Sequence, residues 1–187
     1  MERVTLAEAE LIARQIGRAP RGEYTIVQRC PHGFPRVLRV PPLVDGAPFP
    51  TLYWLSCPFL CRAVSDLEAA GWVSRLEKRA AEEPSLRVAL ERAHEAYIAE
   101  RRRFLSAEAE DALAARGRLR LLDERGIGGI ADRARLKCLH LHVAHALVGE
   151  NPIGAAVLDM LAQTACAGEK AICSSLVGER SRSQINR

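Results

Sequence analysis

The stretch Lys137-Cys138-Leu139-His140-Leu141-His142-Val143-Ala144-His145 holds three of the chain's five histidines beside a cysteine. Thiolate sulfur and imidazole nitrogen are the donors that zinc takes in tetrahedral sites, at about 2.3 Å and about 2.0 to 2.1 Å. On a continuous helix, His142 lies about 40° around from Cys138 and His145 about 20° away on the other side. Those three share one stripe. His140 projects about 200° away, toward the face of Leu136, Val143 and Leu147, and is expected to serve the core instead of an ion.

One helix cannot close a tetrahedral site. Cys30, in the sharp turn Cys30-Pro31-His32-Gly33, and Cys57, where extended chain gives way to helix, are the sulfurs best placed to complete it. The expected set is Cys30, Cys57, Cys138 and His142, with His145 as a substitute ligand or a partner behind the ligands. Zinc (Zn2+) is preferred over an iron-sulfur cluster, because imidazole stands beside thiolate and no compact cysteine run occurs. Cys61, Cys166 and Cys173 read as structural thiols, since free cysteine is among the residues most often buried. A closed site would fasten parts of the fold together. An open one would activate water, with His94, Glu95 and Asp132 as acid-base candidates for a metal-dependent hydrolase or transferase.

The elements that position these residues follow from pattern. Thr5 and Glu8 form a capping box ahead of a helix ended by Gly17 and Pro20. Glu23 to Arg29 and Val37 to Val40 read as a hairpin around the cysteine turn, and Thr51 to Leu55 as a third extended segment after a proline-rich stretch. Ser56 and Pro58 open a helix to Ala70, a second starts near Trp72, and Pro84 starts a long one. A helix from Ala107 to Leu122 is broken near Gly117. Ile130 to Val148 reads as one continuous helix, and Asn151-Pro152 caps another running to about Gln163. The fold class is α+β: one mainly helical domain, with a β-containing segment at 23–57, a helical body at 58–164 and a less ordered tail at 165–187.

With 187 residues, 27 basic against 23 acidic side chains and a formal charge of +4, the chain is long enough for one buried core. That charge gives no reason to expect nucleic acid. Arg101-Arg102-Arg103 is expected as a solvated face, and Gly126-Ile127-Gly128-Gly129 lacks the lysine and hydroxyl ending of a phosphate loop. No run is apolar enough for membrane insertion, and no secretory segment is expected, so the chain is expected in the cytoplasm with reduced thiols.

The ordered motifs Arg29-Cys30-Pro31-His32-Gly33-Phe34-Pro35, Pro48 to Pro58, Leu67-Glu68-Ala69-Ala70-Gly71, His94-Glu95-Ala96-Tyr97, Lys137-Cys138-Leu139-His140 with His145, and Asn151-Pro152-Ile153-Gly154 span about residues 18 to 160. Together they resemble an uncharacterised bacterial domain-of-unknown-function family, number five hundred and one, typical of actinobacteria and related lineages. The resemblance implies a bacterial cytoplasmic protein whose family genes often lie near those for enolase and a septum-formation initiator. From this comes a second expectation, an interaction protein with a partner in a division-linked complex. The residues matching the family pattern are Cys30, Cys57, Cys138, His94, His140 and His145, so the resemblance favours His140 where the helical wheel favours His142. No catalytic assignment comes with it.

Overall fold

The computed structural model describes residues 4–168 and 170–177. Helix α1 (Leu6–Ile16) begins at the expected capping box, in which Thr5 accepts from the Glu8 amide and Glu8 reaches back to the Thr5 amide. Gly17 ends it at φ 75°, a left-handed conformation that glycine adopts without a Cβ penalty.

Strands β1 (Thr25–Arg29) and β2 (Pro35–Arg39) pair antiparallel around the Cys30 turn, with Ile26 opposite Leu38. The short strands β3 (Leu43–Val44) and β4 (Ala47–Pro48) form a separate ribbon, and β5 (Tyr53–Leu55) joins the other edge of β2. The sheet order is therefore β1-β2-β5, and the central strand is buried along most of its length.

The helical body packs against this sheet. It comprises α2 (Pro58–Ala69), α3 (Trp72–Glu82), α4 (Pro84–Arg103), α5 (Ala107–Ala115), α6 (Arg120–Glu124), α7 (Leu139–Ala146) and α8 (Pro152–Met160), followed by the short α9 (Ile172–Leu176). Val37, Leu52, Leu60, Val64, Leu139, Val143, Ile153 and Val157 are fully buried between sheet and helices. Each such side chain contributes on the order of 1.5 to 3 kcal/mol of burial. Tyr97 on α4 fastens the two layers, because its hydroxyl oxygen accepts the amides of Leu52 at 2.5 Å and Tyr53 at 3.2 Å. Helices α7 and α8 approach closely enough that a Cβ on Gly154 would sit 2.1 Å from the His142 carbonyl oxygen.

Three local expectations are corrected. The continuous helix over 130–148 does not form: residues 131–138 run through turns, and only Leu139–Ala146 is helical. Asp132 draws the Ala134 amide to its carboxylate at 3.0 Å, and the amides of Leu136 and Leu139 go to Glu77 and Glu68. Side chains from α2, α3 and the loop thus take donors that a helix would have used. Residue Cys57, not Ser56, is the N-cap of α2, without a side-chain cap bond. The basic run is not all solvated, since Arg101 is fully buried. Within the segment expected as a less ordered tail, the described residues include α9, with Cys173 buried in it; residues 169 and 178–187 lie outside the described residues.

Candidate metal centre

Helix α2 presents Cys61, Ser65 and Glu68 at spacings of four and three, which places them on one face. Opposite stands the amino end of α7, where Cys138 is the N-cap in extended conformation at φ −162° and ψ 156°. Cys138 offers no cap bond of its own. The carboxylate of Glu68 supplies one from the neighbouring helix by accepting the Leu139 amide, and a carboxylate is favourably placed at a helix amino end.

His140, in the first turn of α7, completes the cluster. Its Nε2 is 3.0 Å from the Cys61 carbonyl oxygen and 3.3 Å from Ser65 Oγ, and its Nδ1 is 3.1 Å from Glu68 Oε1. A carbonyl can only accept, so Nε2 carries a hydrogen. Nδ1 then faces a carboxylate, and that contact is favourable only with a proton or another cation between them. The hydrogen bond with Cys138 pushes the His140 imidazole up to about 9, with the Cys61 carbonyl and the Glu68 charge adding to it. Glu68, Cys138 and His140, all half-buried, each offer a donor atom within 4.8 Å of the other two. Carboxylate, thiolate and imidazole are a ligand combination that holds zinc and similar divalent ions.

The sequence-derived set is distributed over three places. Cys138 belongs to this cluster. Cys57 is at the amino end of α2 and Cys30 in the β1-β2 turn, within electrostatic reach of it. His142 and His145 are buried against Asn151, whose Nδ2 lies 3.2 Å from His142 Nδ1 and 3.1 Å from His145 Nδ1. The two amide hydrogens of Asn151 match those two lone pairs, while its Oδ1 accepts the Gly154 amide at 2.8 Å and caps α8. Burial holds both imidazoles neutral, lowering them to about 3 for His142, where the Asn151 contact pulls the other way, and to about 4 for His145.

The acid-base candidates also stand apart from the cluster. His94 is fully buried and accepts the Ile127 amide at Nδ1, 3.0 Å away. Glu95 is exposed, and Asp132 is exposed in its turn. The residue that sequence reasoning passed over is Glu68. Its signal was present: it lies within the Leu67 to Gly71 motif and shares helical spacing with Cys61 and Ser65.

The fold and this cluster define a mainly helical protein with a small amino-terminal sheet and a Glu/Cys/His group able to coordinate a metal. The chain belongs to the family described as "Protein of unknown function (DUF501)", which it matches over residues 26–159. No curated protein and no solved structure matches it. Among the described residues, no helix is long and apolar enough to cross a membrane.

Proposed function

We propose that the protein is a cytoplasmic zinc-binding protein whose ion is held by Glu68, Cys138 and His140 and ties α2 to the amino end of α7. The observation that carries this reading is the aim of His140, with Nε2 committed to the Cys61 carbonyl and Nδ1 turned toward Glu68. Ligating histidines are commonly held by just such a bond from the second ring nitrogen to a carbonyl oxygen. Replacing the Nδ1 proton by Zn2+ keeps that bond and removes the need for a buried imidazolium. Elemental analysis of protein purified without added metal, in the wild type and in Cys138→Ser and His140→Ala, tests it. The reading expects a zinc equivalent that both substitutions remove. Zinc content unchanged by either would refute this ligand set.

A second reading, a metal-dependent hydrolase, draws support from a cleft of about 450 Å³ beside the cluster. His140 lines it together with Arg18, Lys137 and Trp54. Three protein ligands leave a fourth position for water, and the two cations suit an anionic substrate. Zinc-dependent hydrolysis of a chromogenic phosphate ester, lost in Cys138→Ser, is the result this reading expects.

A further inference from the structure

A second group of thiols gathers at the amino end of α2. Cys30 opens the β1-β2 turn, Cys57 caps α2, Cys166 lies in the segment after α8, and Cys173 is in α9. Contacts between their neighbours fix this corner. The Ser56 amide donates to the Arg36 carbonyl at 2.9 Å, and the Arg36 guanidinium donates to the Thr164 carbonyl at 2.8 Å. His32 Nε2 lies 3.0 Å from the Cys166 carbonyl oxygen. Gln15 Nε2 donates both to the Pro35 carbonyl at 2.9 Å and to Cys173 Sγ at 3.2 Å.

Cys173 lies within electrostatic reach of the other three thiols. Burial pushes the thiols of Cys57 and Cys173 up, and neighbouring sulfurs add to it: Cys30 for Cys57, and Cys57, Cys30 and Cys166 for Cys173. Donors are already placed for sulfur anions. The amides of Leu60 and Phe59 and the Arg36 cation favour the Cys57 thiolate without bonding the thiol as it stands, and Gln15 donates to Cys173.

A second observation points to a ligand. Gln15, Arg36 and Ser56 are each at least nine-tenths buried, yet among the described residues Gln15 Oε1, Arg36 Nε and Ser56 Oγ have no hydrogen-bond partner. Leaving such atoms unsatisfied is costly in a folded core. Two of the three, Arg36 Nε and Ser56 Oγ, are donors that metal-bound thiolates accept.

We propose that Cys30, Cys57, Cys166 and Cys173 form a tetrathiolate site for Zn2+ that clasps the segment after α8 onto the hairpin and α2. No three of these sulfurs lie within 4.8 Å of one another, so the site closes only as the ion draws them together. Each thiol releases its proton as its Zn–S bond forms, and no oxidant or reductant takes part. Four sulfurs in tetrahedral array suit zinc, and the excess negative charge is met by Arg36 and the amide donors. All six cysteines are free, as the site requires. The family match ends at residue 159, so the clasp joins two cysteines inside it to two beyond it.

The test separates this site from the Glu68 cluster. Full-length Cys138→Ser, which lacks the first site's sulfur, is purified without added metal and examined by X-ray absorption at the zinc edge. The expected result is one zinc per chain in a shell of four sulfurs at about 2.3 Å. Adding Cys166→Ser and Cys173→Ser removes that zinc. No zinc in Cys138→Ser, a shell containing nitrogen or oxygen, or zinc retained after the added substitutions would overturn the proposal. Alkylation of the wild type, mapped by mass spectrometry, guards against a misfolded variant. Zn2+ should protect all four cysteines and a chelator should expose them, whereas labelling indifferent to zinc would also overturn it.

Discussion

His140 Nε2 lies 3.0 Å from the carbonyl oxygen of Cys61, joining the first turn of α7 to the first turn of α2 across 79 residues of chain. That bond turns the ring so that Nδ1 meets Glu68. Glu68 in turn accepts the Leu139 amide, so one carboxylate serves as helix cap, ion-pair partner and candidate ligand.

Glu68 therefore acts on stability even without metal. In chelated protein, Glu68→Ala leaves the Leu139 amide and the His140 imidazolium without their acceptor. The loss of a partner to a half-buried donor is expected to cost about 1 to 3 kcal/mol. Urea denaturation at neutral pH measures it. Glu68→Gln retains a carbonyl oxygen for the amide and should recover part of the loss, while a wild-type midpoint in Glu68→Ala would contradict the capping role.

The same residues show why the fold was more legible than the site. Capping boxes, prolines at first turns and alternating strands are local signals, and α1, β1, β2, α2, α3 and α4 stand close to where the sequence places them. The wheel that joined Cys138 to His142 and His145 assumed a helix through residue 138. That helix starts one residue later, where carboxylates on α3 and α2 take the Leu136 amide before it and the Leu139 amide at its first residue. A shift from helical to extended conformation at Cys138 re-aims its sulfur, and nothing within 130–148 encodes it. The information sits at Glu68 and Glu77, about 60 to 70 residues earlier, where only tertiary packing connects them.

Acid should unfold the protein through His142 and His145. Both are nearly fully buried, with native values lowered to about 3 and about 4 by loss of solvation, against about 6.5 in an unfolded chain. Between those limits the unfolded state binds protons that the native state does not. Stability is then complete above about pH 6.5 and falls as pH drops toward 4, by up to about 1.4 kcal/mol per pH unit for each histidine. Urea midpoints measured from pH 7 to pH 4 should show this slope. His142→Gln should be less stable at pH 7 and show a shallower slope, and an unchanged slope would assign the acid sensitivity elsewhere.

Gly154 is required by the α7-α8 contact and not by its backbone angle. A Cβ there would lie 2.1 Å from the His142 carbonyl oxygen and 2.6 Å from Ala146 Cβ. The first obstacle is backbone, which cannot swing aside, so Gly154→Ala must separate the helices. Overpacking of this kind costs about 1 to 3 kcal/mol and occasionally more, and the upper end is expected here. Because Asn151 caps α8 and also bonds both histidines, the separation should loosen that network as well. Thermal denaturation of Gly154→Ala beside the exposed control Ala155→Ser measures the difference.

Arg101 is the least expected part of the core. It is fully buried on α4, and its guanidinium donates to the Pro50 carbonyl at 2.7 Å and to the carbonyls of Leu122 and Arg125. Burial lowers it to about 10, which leaves it charged at neutral pH. Its hydrogen bonds are to three neutral carbonyls on two segments, the Pro50 stretch and the end of α6, with Asp123 as an electrostatic neighbour. The planar fork of arginine reaches all three carbonyls at once, whereas a lysine ammonium presents a single nitrogen. Arg101→Lys should therefore be destabilised by about 1.5 to 3 kcal/mol for each charge-assisted bond that it fails to restore. Arg101→Ala should be worse, since it also leaves a cavity and three carbonyls without their donor. Hydrogen exchange locates the damage: amides of α6 and of the Pro50 segment should lose protection before those of α7 and α8. A uniform loss of protection would mean that Arg101 supports the whole core instead of fastening α6 and the Pro50 segment to α4.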